Sequence, residues 1–256
     1  MKTRDIMSVE KVAVRQDDFV TKARQLLRDN LLHSMPVVDG EGRAVGMITS
    51  QDALRVTSSK SNVTVSGYIQ PCPAVTPDTP IVDAAKALVA ASVGHIPVMD
   101  DAGRLVGTVS MKQVFRALDF TRMNHIPVSR VMTQKVETST PDEDVSTLWM
   151  RMIESGYTGY PVVEKGRVVG MVTRKDLLNA GTARIGREGH KVKAGTSVTK
   201  MMSTSVIAVS EDDNIHLVVD VFRREGIGRV PVLRNGKLAG IVDRHDIVHA
   251  YLGGMN

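Results

Sequence analysis

Thr173 and Asp176 place a hydroxyl and a carboxylate three residues apart, in the string GRVVGMVTRKD that begins at Gly166. Thr49 and Asp52 repeat the pair, while Ser110 with Gln113 and Asp243 with Asp246 vary it. At the start of a helix such a pair has two uses. The carboxylate can accept both hydroxyls of a cis-diol such as a ribose, and the hydroxyl beside free helix N–H groups suits a phosphate. Alternatively, Thr caps the helix and Asp complements its dipole in the first turn. One Thr-x-x-Asp on its own favours the cap, and repetition at matching positions keeps the binding reading open until family context is added. The copies are unequal. Gln113 lacks the charge that suits a diol, and Asp243 stands where a phosphate would be repelled. The motifs of Thr49 and Asp52 and of Thr173 and Asp176 are therefore the intact ones.

The elements around these pairs recur too. Pro36, Pro97, Pro161 and Pro231 stand in MPVV, IPVM, YPVV and VPVL. Nine or ten residues later come Gly46, Gly107, Gly170 and Gly240, each preceded at four residues by Gly42, Gly103, Gly166 and Gly236. About twenty residues before each Pro a polar stretch (RQDDF, TPDTP, TPDED, SEDDN) opens a helix pattern. In the third copy Thr140 reads as an N-cap with Pro141 at the first helical position, and Leu148, Met152 and Ile153 mark the apolar face. A short strand precedes the helix, such as VIAVS at 206–210. The order strand, helix, strand, strand, helix is too small to bury its own sheet, so the units must pair.

These strings resemble CBS domains, repeats that occur in tandem pairs called Bateman modules. The resemblance rests on the Pro-Val strand, the Gly-to-Thr-x-x-Asp spacing and their fourfold recurrence over almost the whole chain. It implies an α/β (α+β) fold of four β-α-β-β-α repeats, at about 1–57, 66–120, 128–180 and 197–252. These pair as module 1, residues 1–124, and module 2, residues 125–256, in a flat disc. The arrangement is similar to the gamma subunit of AMP-activated protein kinase and to stand-alone four-repeat proteins. The family implies regulatory ligand sensing without catalysis. The ligand is an adenine nucleotide (AMP first, then ADP or ATP) in clefts between paired repeats. S-adenosylmethionine is the rival adenosine compound. No cofactor is implied. The protein target is unknown, and a homodimer stays open.

Two residues before the repeat Pro stand Ser34, His95, Gly159 and Arg229. In the kinase gamma subunit, residues near this position approach the ligand phosphates. The resemblance thus assigns His95 to the Asp52 site and Arg229 to the Asp176 site, with affinity at His95 rising as its imidazole charges near pH 6.5. Strand capping or solvent contact is the alternative for both. The expected ligand residues are Thr49, Asp52, Ser110, His95, Thr173, Asp176 and Arg229.

Composition narrows the classes. The chain has 256 residues, 42% hydrophobic and 24% charged, with aromatics at 4%, so the core must be aliphatic and Met-rich. Cys72 is the only cysteine, which rules out an intramolecular disulfide and fits a reducing, cytoplasmic home. MKTRDIMSVEKVAV lacks the apolar core of a signal peptide, and no apolar run has the length of a membrane span. The net charge is +5. Its densest basic stretch, 181–200, is the alternative route to function, through nucleic-acid phosphates. No aromatic residues interleave it, so a solvated linker is the simpler reading. HDIVH at 245–249 puts two His at i and i+4, but Asp246 belongs to the repeated motif and no sibling copy has the histidines, so no metal is expected. No nucleophile–base pair or P-loop is present, so no enzyme is expected. Trp149 reads as a packing residue on its helix.

Overall fold

Residues 1–30, 32–56, 61–123, 125–179 and 195–253 are described by the structure, a computed structural model. Repeat 1 runs β1 (Val14–Arg15), α1 (Val20–Asp29), β2 (Ser34–Val38), β3 (Ala44–Thr49) and α2 (Ser50–Leu54). Repeat 2 follows as α3 (Ile81–Ala90), β4 (His95–Met99), β5 (Leu105–Ser110) and α4 (Met111–Ala117). Repeat 3 has α5 (Val145–Ser155), β6 (Gly159–Glu164), β7 (Arg167–Thr173) and α6 (Arg174–Asn179). Repeat 4 closes with β8 (Val209–Ser210), α7 (Ile215–Arg224), β9 (Arg229–Arg234), β10 (Lys237–Asp243) and α8 (Arg244–Tyr251).

Each repeat is organised by an antiparallel hairpin: β2 with β3, β4 with β5, β6 with β7, β9 with β10. The hairpin turns explain one set of repeated glycines. Gly42, Gly103, Gly166 and Gly236 all have φ between 75° and 79°, the left-handed region that a side chain disfavours. In repeats 3 and 4 the preceding Lys165 and Asn235 are left-handed as well, as in a two-residue I′ turn. A short parallel strand flanks the hairpin in repeats 1 and 4, β1 on β2 and β8 on β9. In repeats 2 and 3 it shrinks to single bridges, Val75 to Val98 and Ser139 to Val162.

Two local expectations shift. The strand read over 206–210 is confined to Val209–Ser210. The helix read from Thr140 begins at Val145, because Glu143 N–H closes a turn on the Thr140 carbonyl at 3.2 Å and Asp144 caps the Ser146 N–H at 2.8 Å. Pro141 fits the second position of a turn as readily as the first position of a helix.

The helices bury one stripe against the hairpins. In repeat 1, Val20, Ala23 and Leu27 of α1 pack with Met35, Val37 and Ile48. In repeat 3, Val145, Leu148 and Met152 of α5 meet Tyr160, Val162 and Val172, with Trp149 half-buried at the margin. Fully burying each such aliphatic side chain contributes about 1.5–3 kcal/mol, so the fold rests on these stripes. The chain divides into two compact units, Met1–Asp119 with Tyr251–Gly253, and Phe120–Ala250. Repeats 1 and 2 lie in unit 1, repeats 3 and 4 in unit 2. Among the described residues no helix is long and apolar enough to cross a membrane.

Candidate functional site

All four motif pairs close helix starts, although only Thr49 with Asp52 and Thr173 with Asp176 join a hydroxyl to a carboxylate. Thr49 donates its hydroxyl to Asp52 Oδ2 at 2.6 Å and accepts the Asp52 N–H at 3.1 Å. Thr173 donates its N–H and hydroxyl to Asp176 Oδ2 at 2.8 and 2.6 Å. Ser110 does the same to Gln113 Oε1, both at 2.8 Å. In repeat 4 the Asp243 N–H goes to Asp246 Oδ2 at 2.8 Å and the Asp246 N–H returns to Asp243 Oδ1 at 3.2 Å. The capping use is therefore built in every copy, and it occupies one carboxyl oxygen of Asp52, Asp176 and Asp246 and the amide oxygen of Gln113.

The strand register brings the second candidate set to the first. Ser34 lies opposite Thr49, His95 opposite Ser110, Gly159 opposite Thr173 and Arg229 opposite Asp243. The residue two before the Pro thus faces its own repeat's motif across the hairpin.

Each motif strand is also covered by the segment that leads into its partner repeat. Ser8 and Thr108 exchange two backbone hydrogen bonds, both at 2.9 Å. Gln70 and Met47 do so in the reciprocal direction, at 2.8 and 2.9 Å. Unit 2 repeats the arrangement with Thr133 on Ile241 and Ser203 on Met171. This close approach explains the other set of repeated glycines. A Cβ at Gly46 would lie 2.6 Å from the Gln70 carbonyl oxygen, and one at Gly107 would collide with the Ser8 carbonyl oxygen. The lead-in residues were absent from the sequence candidates. A signal for them exists: Ser8, Thr133 and Ser203 stand 28 residues before their repeat Pro, each closing an apolar-Met-Ser/Thr triplet (Ile6-Met7-Ser8, Val131-Met132-Thr133, Met201-Met202-Ser203).

In unit 2, Arg229 leaves its own hairpin partner and crosses to repeat 3. Its guanidinium donates to Thr158 Oγ1 at 2.8 Å and to the Gly159 carbonyl at 3.3 Å. A Cβ on Gly159 would sit 3.2 Å from Arg229 Cδ and 3.5 Å from Thr173 Cγ2, so the Arg229 stem and Thr173 flank the same glycine. Asp176 is half-buried and bonds through Oδ2, which among the described residues leaves Oδ1 for a further donor. In repeat 4, burial and the Asp243 charge push the Asp246 carboxyl up to about 7, against the hydrogen bonds from Asp243 and Thr133 and the charge of Arg229.

Unit 1 is built differently. Asp52 is buried, and its Oδ1 lies 3.4 Å from Gln70 Nε2. His95 lines a cavity of about 200 Å³ with Ser8, Glu10, Val12, Pro36 and Thr108. Asp52 is not in that lining, so the structure places His95 beside the lead-in of repeat 1 and the β5 strand of its own repeat. Burial outweighs the ring's hydrogen bonds to the Gly94 and Ser34 backbone and lowers the pKa of His95 below 6.5. The shift favours the neutral ring over the imidazolium expected from the sequence.

Among the described residues, no group of three or more His, Cys, Asp and Glu is placed to hold a metal ion. The basic stretch lies outside the described residues over 180–194.

The family described as CBS domain matches residues 4–59, 65–119, 128–182 and 198–253, and the chain belongs to that family. Uncharacterized protein MJ1404 of Methanocaldococcus jannaschii is 28% identical over 96% of this chain, which spans 60% of that relative's length. Uncharacterized protein MJ1225 of the same organism is 26% identical over 93% of this chain and 94% of its own length. The crystal structure of MJ1225 superposes with a TM-score of 0.74 at 21% identity, over 98% of this chain and 100% of that one, a likeness of fold.

Proposed function

We propose that this four-repeat member of the CBS-domain family is a regulatory sensor of an adenine nucleotide, AMP first, bound in unit 2 by Thr173, Asp176 and Arg229. One observation carries the reading: Arg229 crosses from repeat 4 to lie beside Gly159 and Thr173, while Asp176 keeps one oxygen outside its cap. A ribose diol donates to a carboxylate, and a phosphate accepts from a guanidinium, so the two groups suit the two ends of a nucleoside monophosphate. ADP and ATP share that ribose and first phosphate. Thr49, Asp52 and Ser110 hold the corresponding positions in unit 1. Occupancy passes to a protein target, and the protein acts in the cytoplasm as a binding module.

Calorimetry of the full chain with AMP and adenosine tests this. A charge-assisted bond from Arg229 contributes about 1.5–3 kcal/mol, so AMP should bind unit 2 roughly ten- to a hundredfold more tightly than adenosine. Arg229→Gln should erase the difference. Equal affinities in the unaltered chain would overturn the assignment.

A further inference from the structure

The hairpin turns of unit 2 lie edge to edge. The Leu238 N–H donates to the Gly166 carbonyl at 3.2 Å, and a Cβ on Gly166 would sit 3.9 Å from Lys237 Cδ. The stem of Lys237 therefore runs along the turn that carries Lys165 and Arg167. Lys165, Arg167 and Lys237 are exposed, and among the described residues no carboxylate forms an ion pair with any of them. Unit 1 joins its turns in the same way, with the Leu105 N–H on the Gly42 carbonyl at 2.9 Å. There the cations are neutralised locally: Arg43 pairs with Asp39 at 2.9 Å and Arg104 with Asp100 at 2.8 Å. Residues 39–43 and 100–104 carry four acids and two bases, whereas 164–167 and 234–237 carry one acid and four bases.

Two local rules are broken in the turns of unit 2. Lys165 has φ of 51°, a left-handed position that suits Asn, as at Asn235 of the sibling turn, far better than Lys. Arg234 stands opposite Lys237 in the register of β9 and β10, a like-charge pair that destabilises a hairpin. Glu211 takes up Arg234, and Lys237 has no such partner among the described residues. The tighter turn explains why no Asp is needed here, since Asp39 and Asp100 build the longer turns of unit 1 by accepting N–H groups. It does not explain the cations set in these places. Rules broken at one spot and kept in sibling turns mark a functional surface.

We infer that the joined turns of unit 2 are a docking surface for an acidic segment of a protein partner, whose carboxylates are taken by Lys165, Arg167 and Lys237. Arg167 offers a planar fork to a carboxylate, and the two lysines offer point charges. A nucleic acid fits this surface less well. No aromatic residue stands in either turn to stack a base. Glu164 lies opposite Arg167 in the register and Asp212 acts on Arg234, so acids bound the cations and interrupt any longer phosphate track. The surface shares no residue with the nucleotide reading and stands apart from it.

The test uses the full chain and the backbone amide resonances of Gly166 and Gly236. The probes are a synthetic peptide of alternating Glu and Gly, its Gln–Gly counterpart, and a single-stranded DNA oligonucleotide of equal length. The Glu peptide should move both resonances, with an affinity that falls as salt is raised, and the Gln peptide should leave them in place. Lys165→Asn, Arg167→Gln and Lys237→Gln together should weaken the Glu peptide roughly tenfold, each exposed charge contributing about 1.5- to fivefold. Asn suits the left-handed position, so the variant keeps its turn. Arg104→Gln, which removes a cation already paired in unit 1, should leave the affinity unchanged. A Glu peptide that leaves both resonances in place, or binds the triple variant as tightly as the parent, overturns the inference. So does an oligonucleotide that moves the same resonances at lower concentration than the peptide, which would make this a nucleic-acid surface.

Discussion

Arg229 and Gly159 occupy the same position of their repeats, and the Arg229 guanidinium lies across Gly159, donating to its carbonyl at 3.3 Å. The glycine is what lets the arginine through: a Cβ there would stand 3.2 Å from Arg229 Cδ. Gly159→Val should therefore displace Arg229 and weaken AMP binding about as much as Arg229→Gln, roughly tenfold or more. Adenosine affinity should stay nearly level. A matched loss for AMP and adenosine in the valine variant would show that the strand itself, not the arginine, had been disturbed.

Asp176 serves the helix cap and, in the reading above, the ligand. Asp176→Ala removes the acceptor of both Thr173 bonds, so it should cost about 0.5–2 kcal/mol of stability in unit 2 as well as affinity. Asp176→Asn keeps a cap acceptor. Denaturant unfolding should find it closer to the parent than the alanine variant, while calorimetry finds AMP weakened in both.

Gly107 is required by the close approach of Ser8. Gly107→Ala forces the lead-in segment away from β5 and should destabilise unit 1 by about 1–3 kcal/mol, the usual range for overpacking. Gly67→Ala, where an added Cβ meets no atom within 4 Å, is the control and should fall within about 0.5 kcal/mol of the parent. Thermal unfolding that leaves the two variants alike would contradict the packing argument.

The carboxyl of Asp246 is raised from 3.8 to about 7, so the folded state holds its proton more tightly than the unfolded state. The linkage sign is then negative: this group's contribution to stability is fully present below pH 3.8 and is lost as pH rises toward 7. The groups facing Asp246 are Asp243, Thr133 and Arg229. Asp246→Asn should flatten that part of the pH–stability curve and stabilise unit 2 at pH 8. A variant with the same slope as the parent between pH 4 and 7 would assign it to other groups.

His95 has the opposite sign. Its pKa is lowered from 6.5 by burial, so the folded state resists protonation, and stability is lost as pH falls below 6.5. Ligand binding at His95 should be level between pH 8 and 7 and should not strengthen toward pH 6. An imidazole titration midpoint at or above 6.5 in the folded chain would refute this.

The repeat, its element order and the hairpin glycines were legible in the sequence, because each depends on local rules. Left-handed turns require Gly, helix starts select Thr-x-x-Asp, and alternating Val and Ile mark strands. The fourfold spacing of Pro36, Pro97, Pro161 and Pro231 carried the family resemblance for the same reason. The sequence also separated the intact motifs at Asp52 and Asp176 from Gln113 and Asp243. What it left open were the properties set by neighbours distant along the chain. Whether Arg229 meets its own Asp243 or crosses to Gly159 depends on how two repeats pack. The charge of His95 depends on how deeply the folded unit buries it at the start of β4. Glu10, Gln70 and Thr133 enter the clefts only because each lead-in segment is exchanged onto its partner's strand; the recurring apolar-Met-Ser/Thr triplet marks that segment in three copies but does not say which strand it will cover.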